Sequence, residues 1–287
     1  MHFKDHILQG APYQQALWMG GEITPTIVVL HDTASPLQPG NAAAYLADNQ
    51  AKVSVHFVVE RDGTITQQVP VNRRANHAGQ SSFNGRSGCN GFSIGIEIVN
   101  PGRMTRAGAG KAKGWWGETF SIEDMGVEEI TTAEHGHGLW MGYPQAQLAA
   151  VFGLLGALFA EVTTLSDITT HWYVSPGRKV DTNPLFPLEA MRAKILGRDD
   201  PADLMAEGSS IPENDPTAYV EIDAGGDTLN MRRWPSFNPN VLVAIPDGTA
   251  VPVLRRGVFD NRAWLKVRYA GQEGWVVARY TAAVCIA

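Results

Sequence analysis

Three groups able to do chemistry sit close together in THWYVSPGRKVDTNP, residues 170–184: His171, Lys179 and Asp181, arranged around the Pro176-Gly177 turn. A catalytic zinc site needs three protein ligands from His, Asp, Glu or Cys and an open position for water. Histidines stand at 2, 6, 31, 56, 77, 135, 137 and 171. His31 closes the apolar run TIVVLHD (26–32), which predicts a buried central strand. A strand end is rigid, and its side chain can project from the edge of a sheet. His171 follows SDITT, a second predicted strand end, and Asp181 lies beyond a turn that folds the chain back. His31, His171 and Asp181 can therefore meet at one sheet edge. On spacing alone, a metal site and a solvated surface loop are both open. His135 and His137, in EHGHG, are a second metal-capable pair, for which a mobile loop is the plainer reading.

The elements that must position these groups are legible as periodicities. VSVHFVVERDGTITQQV (53–69) predicts a hairpin turning at Asp62-Gly63. SIGIEIV (93–99) alternates, with Ile94, Ile96 and Ile98 on one face and Gly95 and Glu97 on the other. A carboxylate beside a glycine on an otherwise buried strand implies a face left open for something to approach. PQAQLAAVFGLLGALFAEV (144–162) predicts a helix with Leu148, Val151, Phe152, Leu155, Leu158, Phe159 and Val162 along its apolar side and Pro144 in its first turn. NAAAYLADN (41–49) and PLEAMRAKIL (187–196) predict two shorter helices. Strands alternating with helices predict an α/β domain with a mixed central sheet flanked by helices.

Residues 100–142 lack a period and read as a long loop or insertion. Trp115, Trp116 and Trp140 within it suit either a packed lid or stacking on a sugar. GRDDPADLMAEGSSIPENDPTAY (197–219) reads as a linker, and short β-type runs separated by turns follow it as a small all-β module.

The chain of 287 residues is 44% hydrophobic and 18% charged, enough for a packed core. A net charge of -6 gives no reason to expect a nucleic-acid partner. Cys89 and Cys285, far apart, make neither a disulfide framework nor a cysteine zinc site, and free thiols are expected. The N-terminal segment has no basic run followed by an apolar core, and the most apolar run, AQLAAVFGLLGALFAEV, is shorter than the ~20 residues of a membrane span. The expectation is a soluble protein made in the cytoplasm without a signal peptide, with no membrane insertion.

IVVLHDTAS, VSVHFVVERDGTITQQVP, ANHAGQSSFNG, SIGIEIVNPG and THWYVSPGRKVDTNP occur in that order. Together they resemble the zinc-dependent N-acetylmuramoyl-L-alanine amidases of the type 2 family, which includes phage endolysins, autolysins and muropeptide-recycling amidases and is related to peptidoglycan recognition proteins. The resemblance covers residues 24–197. It implies one Zn2+ held by His31, His171 and Asp181, with Glu97 moving protons and Lys179 stabilising an oxyanion. The bond cut would join the lactyl carbonyl of N-acetylmuramic acid to L-alanine. It also suggests His56 and His77 as substrate-binding candidates. Val55 stands where some phage members carry a tyrosine near the metal.

LNMRRWP, the turn-strand PDGTAVPVL and GWV resemble a bacterial SH3-like domain. That resemblance implies a cell-wall-binding module, with Trp234, Trp264 and Trp275 as candidate contacts. The expected organisation is a catalytic domain at 1–197, an acidic linker at 198–217 and the SH3-like domain at 218–287. The expected function is a peptidoglycan hydrolase of the phage or prophage endolysin kind, acting on peptidoglycan or muropeptides after release by a holin-type partner. A cytoplasmic recycling amidase and a non-catalytic peptidoglycan sensor are the alternatives. Retention of all three ligands argues against the sensor.

Overall fold

The structure is a computed structural model that describes residues 1–196, 219–232, 235, 241–259 and 262–284. The expected linker, 198–217, lies outside the described residues. Two compact units are present, Met1–Leu188 and Glu189–Ala287.

In chain order the first unit contains β1 (Ile27–Asp32), α1 (Asn41–Ala47), β2 (Phe57–Val59), β3 (Ile65–Gln67), β4 (Ser93–Ile98), β5 (Arg103–Arg106), β6 (Lys111–Lys113), β7 (Thr119–Ser121), β8 (Val127–Thr132), β9 (Gly136–Met141), α2 (Gln145–Glu161), β10 (Asp167–Thr170) and α3 (His171–Val174). The central sheet runs β10-β1-β4-β2-β3. β10, β1, β4 and β2 are parallel, and β3 joins antiparallel through the hairpin. The mixed sheet expected from the sequence is present. Central parallel strands are covered on both faces, which explains why β1 is a continuous apolar run, with Val28, Val29 and Leu30 fully buried.

Register carries this sheet to the site. Thr170 pairs with Leu30, so His171 arrives beside His31 as the chain leaves β10, and His31 pairs with Glu97 across β1 and β4. All three groups thus stand at the carboxyl ends of parallel strands, where open α/β sheets bind their ligands.

α2 begins after Pro144 as predicted, but its buried side is turned from the predicted one. Gln147 is fully buried and Phe152 is exposed. The Gln147 amide donates to the carbonyls of Val59 and Val99, at 3.1 and 3.0 Å. It thereby gives a donor to the Val99 carbonyl as the chain leaves β4 and a second donor to the Val59 carbonyl, which already accepts the Val99 N–H.

Residues 100–142 are not a loop. They form a second, antiparallel sheet of order β7-β6-β5-β9-β8, closed over Met104, Ala112, Phe120, Val127, Leu139 and Met141. Trp140 is buried, and Trp116 packs edge-on against Phe120. Trp115 is 75% exposed, with its indole N–H donating to the Ala34 carbonyl at 2.6 Å.

α4 (Leu188–Leu196) is followed in the second unit by β11 (Tyr219–Ile222), β12 (Thr228–Arg232), β13 (Val241–Pro246), β14 (Ala250–Phe259), β15 (Arg262–Tyr269), β16 (Gln272–Val277) and β17 (Thr281–Val284). They pair antiparallel in the order β13-β12-β16-β15-β14-β11-β17 around Val220, Ile222, Met231, Ile245, Leu265, Val267 and Val276. The region is thus mostly β-sheet, as expected. Of the candidate wall contacts, Trp264 and Trp275 are 1% and 6% exposed and pack with Val277. They build the unit's interior and present no ring face to a ligand. Trp234 lies outside the described residues. Cys89 is a buried free thiol, and Cys285 lies outside the described residues. Among the described residues no helix is long and apolar enough to cross a membrane.

Candidate metal and catalytic site

His31, His171 and Asp181 converge as their spacing allowed. His31 Nδ1 and His171 Nδ1 are 2.9 Å apart. Asp181 Oδ2 lies 2.9 Å from His171 Nδ1 and 3.3 Å from His31 Nδ1. Both imidazoles are buried, and the carboxylate is half-buried. Four donors at zinc's usual bond length of roughly 2.0–2.2 Å stand about 3.3 Å apart on a tetrahedron. A triangle of two imidazole nitrogens and one carboxylate oxygen on this scale fits such an ion, and its donor types are those of a catalytic zinc site.

The electrostatics agree. Burial and the neighbouring His171 push the His31 pKa down to about 4, which leaves the ring neutral and able to ligate. Burial opposes ionisation of Asp181. The hydrogen bonds of His171 and His31 override it and hold the carboxyl well below the usual carboxylate range.

The chain places Asp181 through the turn predicted from its Pro-Gly pair. The backbone N–H of Trp172 donates to the Asp181 carbonyl at 2.7 Å, closing the excursion 172–181. Arg178, which sequence reasoning passed over, clamps this turn to the segment after His77. Its guanidinium donates to the carbonyls of Ala78 and Gln80, at 2.7 and 2.9 Å, and to Ser175 Oγ at 2.7 Å. His171 Nε2 lies 3.3 Å from the Ala78 carbonyl and 3.4 Å from Arg178 Nη2, on the side of the ring away from the donor triangle.

The far side of the ligand loop is held from the second sheet. His135 Nε2 donates to the Thr182 carbonyl at 2.9 Å, and its Nδ1 lies 2.8 Å from Thr132 Oγ1. His135 is buried in the turn between β8 and β9, edge-on to Trp140 and Trp172. It anchors the Asp181 loop and is not part of a mobile loop. His137 is exposed, beside Glu129. Asp32 completes the frame, accepting from Tyr143 Oη at 2.7 Å and from the Asn183 N–H at 2.8 Å. Burial raises its pKa to about 7.

Glu97 faces the donor triangle from β4. Its Oε2 is buried and has no hydrogen-bond partner among the described residues. Burial, and then the charges of Asp181 and Asp32, raise its pKa well above the carboxylate range, while Lys179 opposes them. Lys179 is half-buried, and its charge bears on both His31 and Glu97.

His56 and His77 do not line an open cleft. His56 is fully buried. Its Nδ1 accepts the Gly95 N–H at 2.9 Å, and its Nε2 donates to the Arg73 carbonyl at 2.8 Å. Both ring nitrogens are spent inside the fold, so His56 is a core residue. His77 is also buried and lies 2.9 Å from His31.

The burial of His56 has a measurable consequence. Its pKa is lowered from 6.5 to about 4 by desolvation. An unfolded histidine takes up its proton near 6.5, whereas the folded one waits until about 4. Between those values the unfolded state binds one more proton, so this contribution to stability is lost as pH falls. His56→Gln should make the slope of unfolding free energy against pH shallower by about 1.4 kcal/mol per pH unit in that window. Urea unfolding of both proteins at about pH 7, 6 and 5 measures it, and identical slopes would refute the assignment.

Comparison with known proteins agrees with this construction. The Amidase_2 family model, described as N-acetylmuramoyl-L-alanine amidase, matches residues 21–184. The 1,6-anhydro-N-acetylmuramyl-L-alanine amidase AmpD of Citrobacter freundii is 30% identical over 189 residues, covering 60% of this chain and 81% of that protein. AmpD of Haemophilus influenzae is 57% identical over 146 residues, covering 51% and 60%. The N-acetylmuramoyl-L-alanine amidase CwlA of Bacillus subtilis is 25% identical over 159 residues, covering 54% and 57%. With more than half of its length matched, including all three donors, Glu97 and Lys179, the chain belongs to the N-acetylmuramoyl-L-alanine amidase family and is an enzyme of that type.

Proposed function

We propose that this enzyme hydrolyses the amide between the lactyl carbonyl of N-acetylmuramic acid and L-alanine with a zinc ion held by His31, His171 and Asp181. The observation that carries the reading is the convergence of three donor atoms beside the register-paired Glu97. Zinc in such a site supplies Lewis acidity and lowers the pKa of a water to about 7. The chain's own groups do the rest. Glu97 Oε2, buried and without a partner among the described residues, takes the proton of the attacking water and hands it to the departing L-alanine amine. The Lys179 ammonium offsets the charge that develops on the former carbonyl oxygen.

For the natural substrate we infer a soluble 1,6-anhydromuramyl peptide. The AmpD relatives, named for that bond, support this over the endolysin expected from the sequence. A lytic enzyme acting on the intact wall is the second reading, favoured by the separate β unit at 219–284. An SH3-like fold for that unit, a wall-binding role and a holin-type release partner all belong to the second reading.

The test compares soluble anhydromuropeptides with intact sacculi and counts new L-alanine amino termini by mass spectrometry. The expected result is a kcat/KM at least about tenfold higher on the soluble substrate, equivalent to ~1.4 kcal/mol of transition-state preference. The reverse ratio would favour the lytic reading. Release from neither substrate would sink the proposal.

A further inference from the structure

We propose that His77, Ser93 and the Cys89 carbonyl form a polarised hydrogen-bond relay that fixes His31 in the tautomer able to bind a metal. The proposal rests on His31 being a zinc ligand.

The relay has one permitted direction because it ends on a group that can only accept. Ser93 Oγ lies 2.6 Å from the Cys89 carbonyl oxygen, so the serine's one hydroxyl proton is committed there. His77 Nε2 is 3.2 Å from the same Oγ and must donate into its lone pair. Among the described residues the His77 ring meets His31, His56, Gly95 and Ser93 and hydrogen-bonds or pairs with no carboxylate. A buried imidazole in that company stays neutral, so with Nε2 protonated its Nδ1 is bare. His31 Nε2 lies 2.9 Å from that Nδ1 and donates to it. His31 Nδ1 is then left as a lone pair, aimed at His171 and Asp181.

The fold makes room for this relay. An added Cβ at Gly95 would lie 2.6 Å from His77 Cγ, so the bare strand face that alternates with Ile94 and Ile96 is filled by the His77 ring. The Asn90 side chain fixes that segment, accepting the N–H groups of His77 and Ala78 at 3.1 and 2.7 Å. Ser93 and Gly95 sit two apart on β4, one passing the relay to the Cys89 carbonyl and the other admitting the His77 ring. His77 is therefore a positioning residue acting through His31, not a substrate contact.

Ser93→Ala tests this because Ser93 touches no metal ligand. Without the hydroxyl, His77 is free to protonate Nδ1, and His31 must then protonate the nitrogen that should ligate. Zinc affinity of the metal-free full-length protein is measured by competition with a chromophoric chelator. Histidine tautomers are read from nitrogen-15 spectra of the same metal-free samples. Ile94→Val, a buried change on the same strand, controls for general loosening. We expect Ser93→Ala to bind zinc about 10- to 100-fold more weakly and to lose the single Nε2–H tautomer of His31, with Ile94→Val unchanged in both readouts. Unchanged affinity in Ser93→Ala, weakened affinity without a tautomer change, or an equal loss in Ile94→Val would each overturn the relay. Failure of the wild-type protein to bind zinc would instead overturn the metal reading beneath it.

Discussion

Asp181→Ala is expected to remove zinc and activity together. Asp181 is the anionic member of the donor set, and without it two neutral imidazoles remain, fewer than the three protein ligands of a catalytic zinc site. Metal content after dialysis should fall from about one zinc per chain to near zero, and the rate of L-alanine amino-terminus release should fall at least about 10³-fold, or ~4 kcal/mol in the barrier. Asp181→Asn keeps the side chain's size and loses its charge, so it should behave in the same way. Metal analysis by mass spectrometry and the sacculus and muropeptide assays measure both effects, with circular dichroism checking the fold. A variant that loses zinc yet keeps its rate would exclude metal-assisted hydrolysis.

Glu97→Gln separates proton transfer from metal binding. The glutamine amide matches the carboxylate in shape but cannot carry a proton from water to amine. Glu97 does not belong to the donor triangle, so zinc content should be retained. kcat should fall by about 10²- to 10⁴-fold with little change in KM, the usual contribution of a positioned acid-base group. The raised proton affinity of Glu97 has its largest cause in burial. A desolvated carboxyl holds its proton long enough to deliver it to the leaving nitrogen. A loss confined to KM, with kcat intact, would make Glu97 a binding group.

The central sheet was legible because its signals are local, whereas the donor set came from the family resemblance, since spacing alone left a metal site and a solvated loop both open. β1 is a continuous apolar run ending in His31, and the Pro-Gly turn before Asp181 is a short-range feature. The second sheet was not legible. Three of its five strands, RMTR, KAK and TFS, are three or four residues long and bury one residue each, and its core assembles from residues distant along the chain. Its period is too short to stand out from a loop. The roles of His56 and His77 were hidden for a different reason. His77 lies in a polar segment without periodicity, and what buries it is the missing side chain at Gly95 on another strand. The alternation in SIGIEI correctly announced an approach to that face, but nothing local said the visitor would be a histidine of the same chain. Gln147 reads as an exposed polar position on α2 until the carbonyl ends of β2 and β4 are seen beneath it.

The separation of His31 from His171 by 140 positions bears on how the molecule matures. No short contiguous fragment holds two of the three donors except the stretch from 171 to 181, and that stretch meets His31 only when β10 docks beside β1. Such long-range pairing closes large loops and is reached slowly in folding. A nascent chain that ends before residue 171 holds one of the three donors, so the proposed metal site cannot form in it. Once the native sheet has closed, any ligand that binds only that state deepens it by mass action, about 2.7 kcal/mol at a hundred times its dissociation constant. If zinc binds as proposed, it would stabilise only chains whose first unit, Met1–Leu188, has been made and closed.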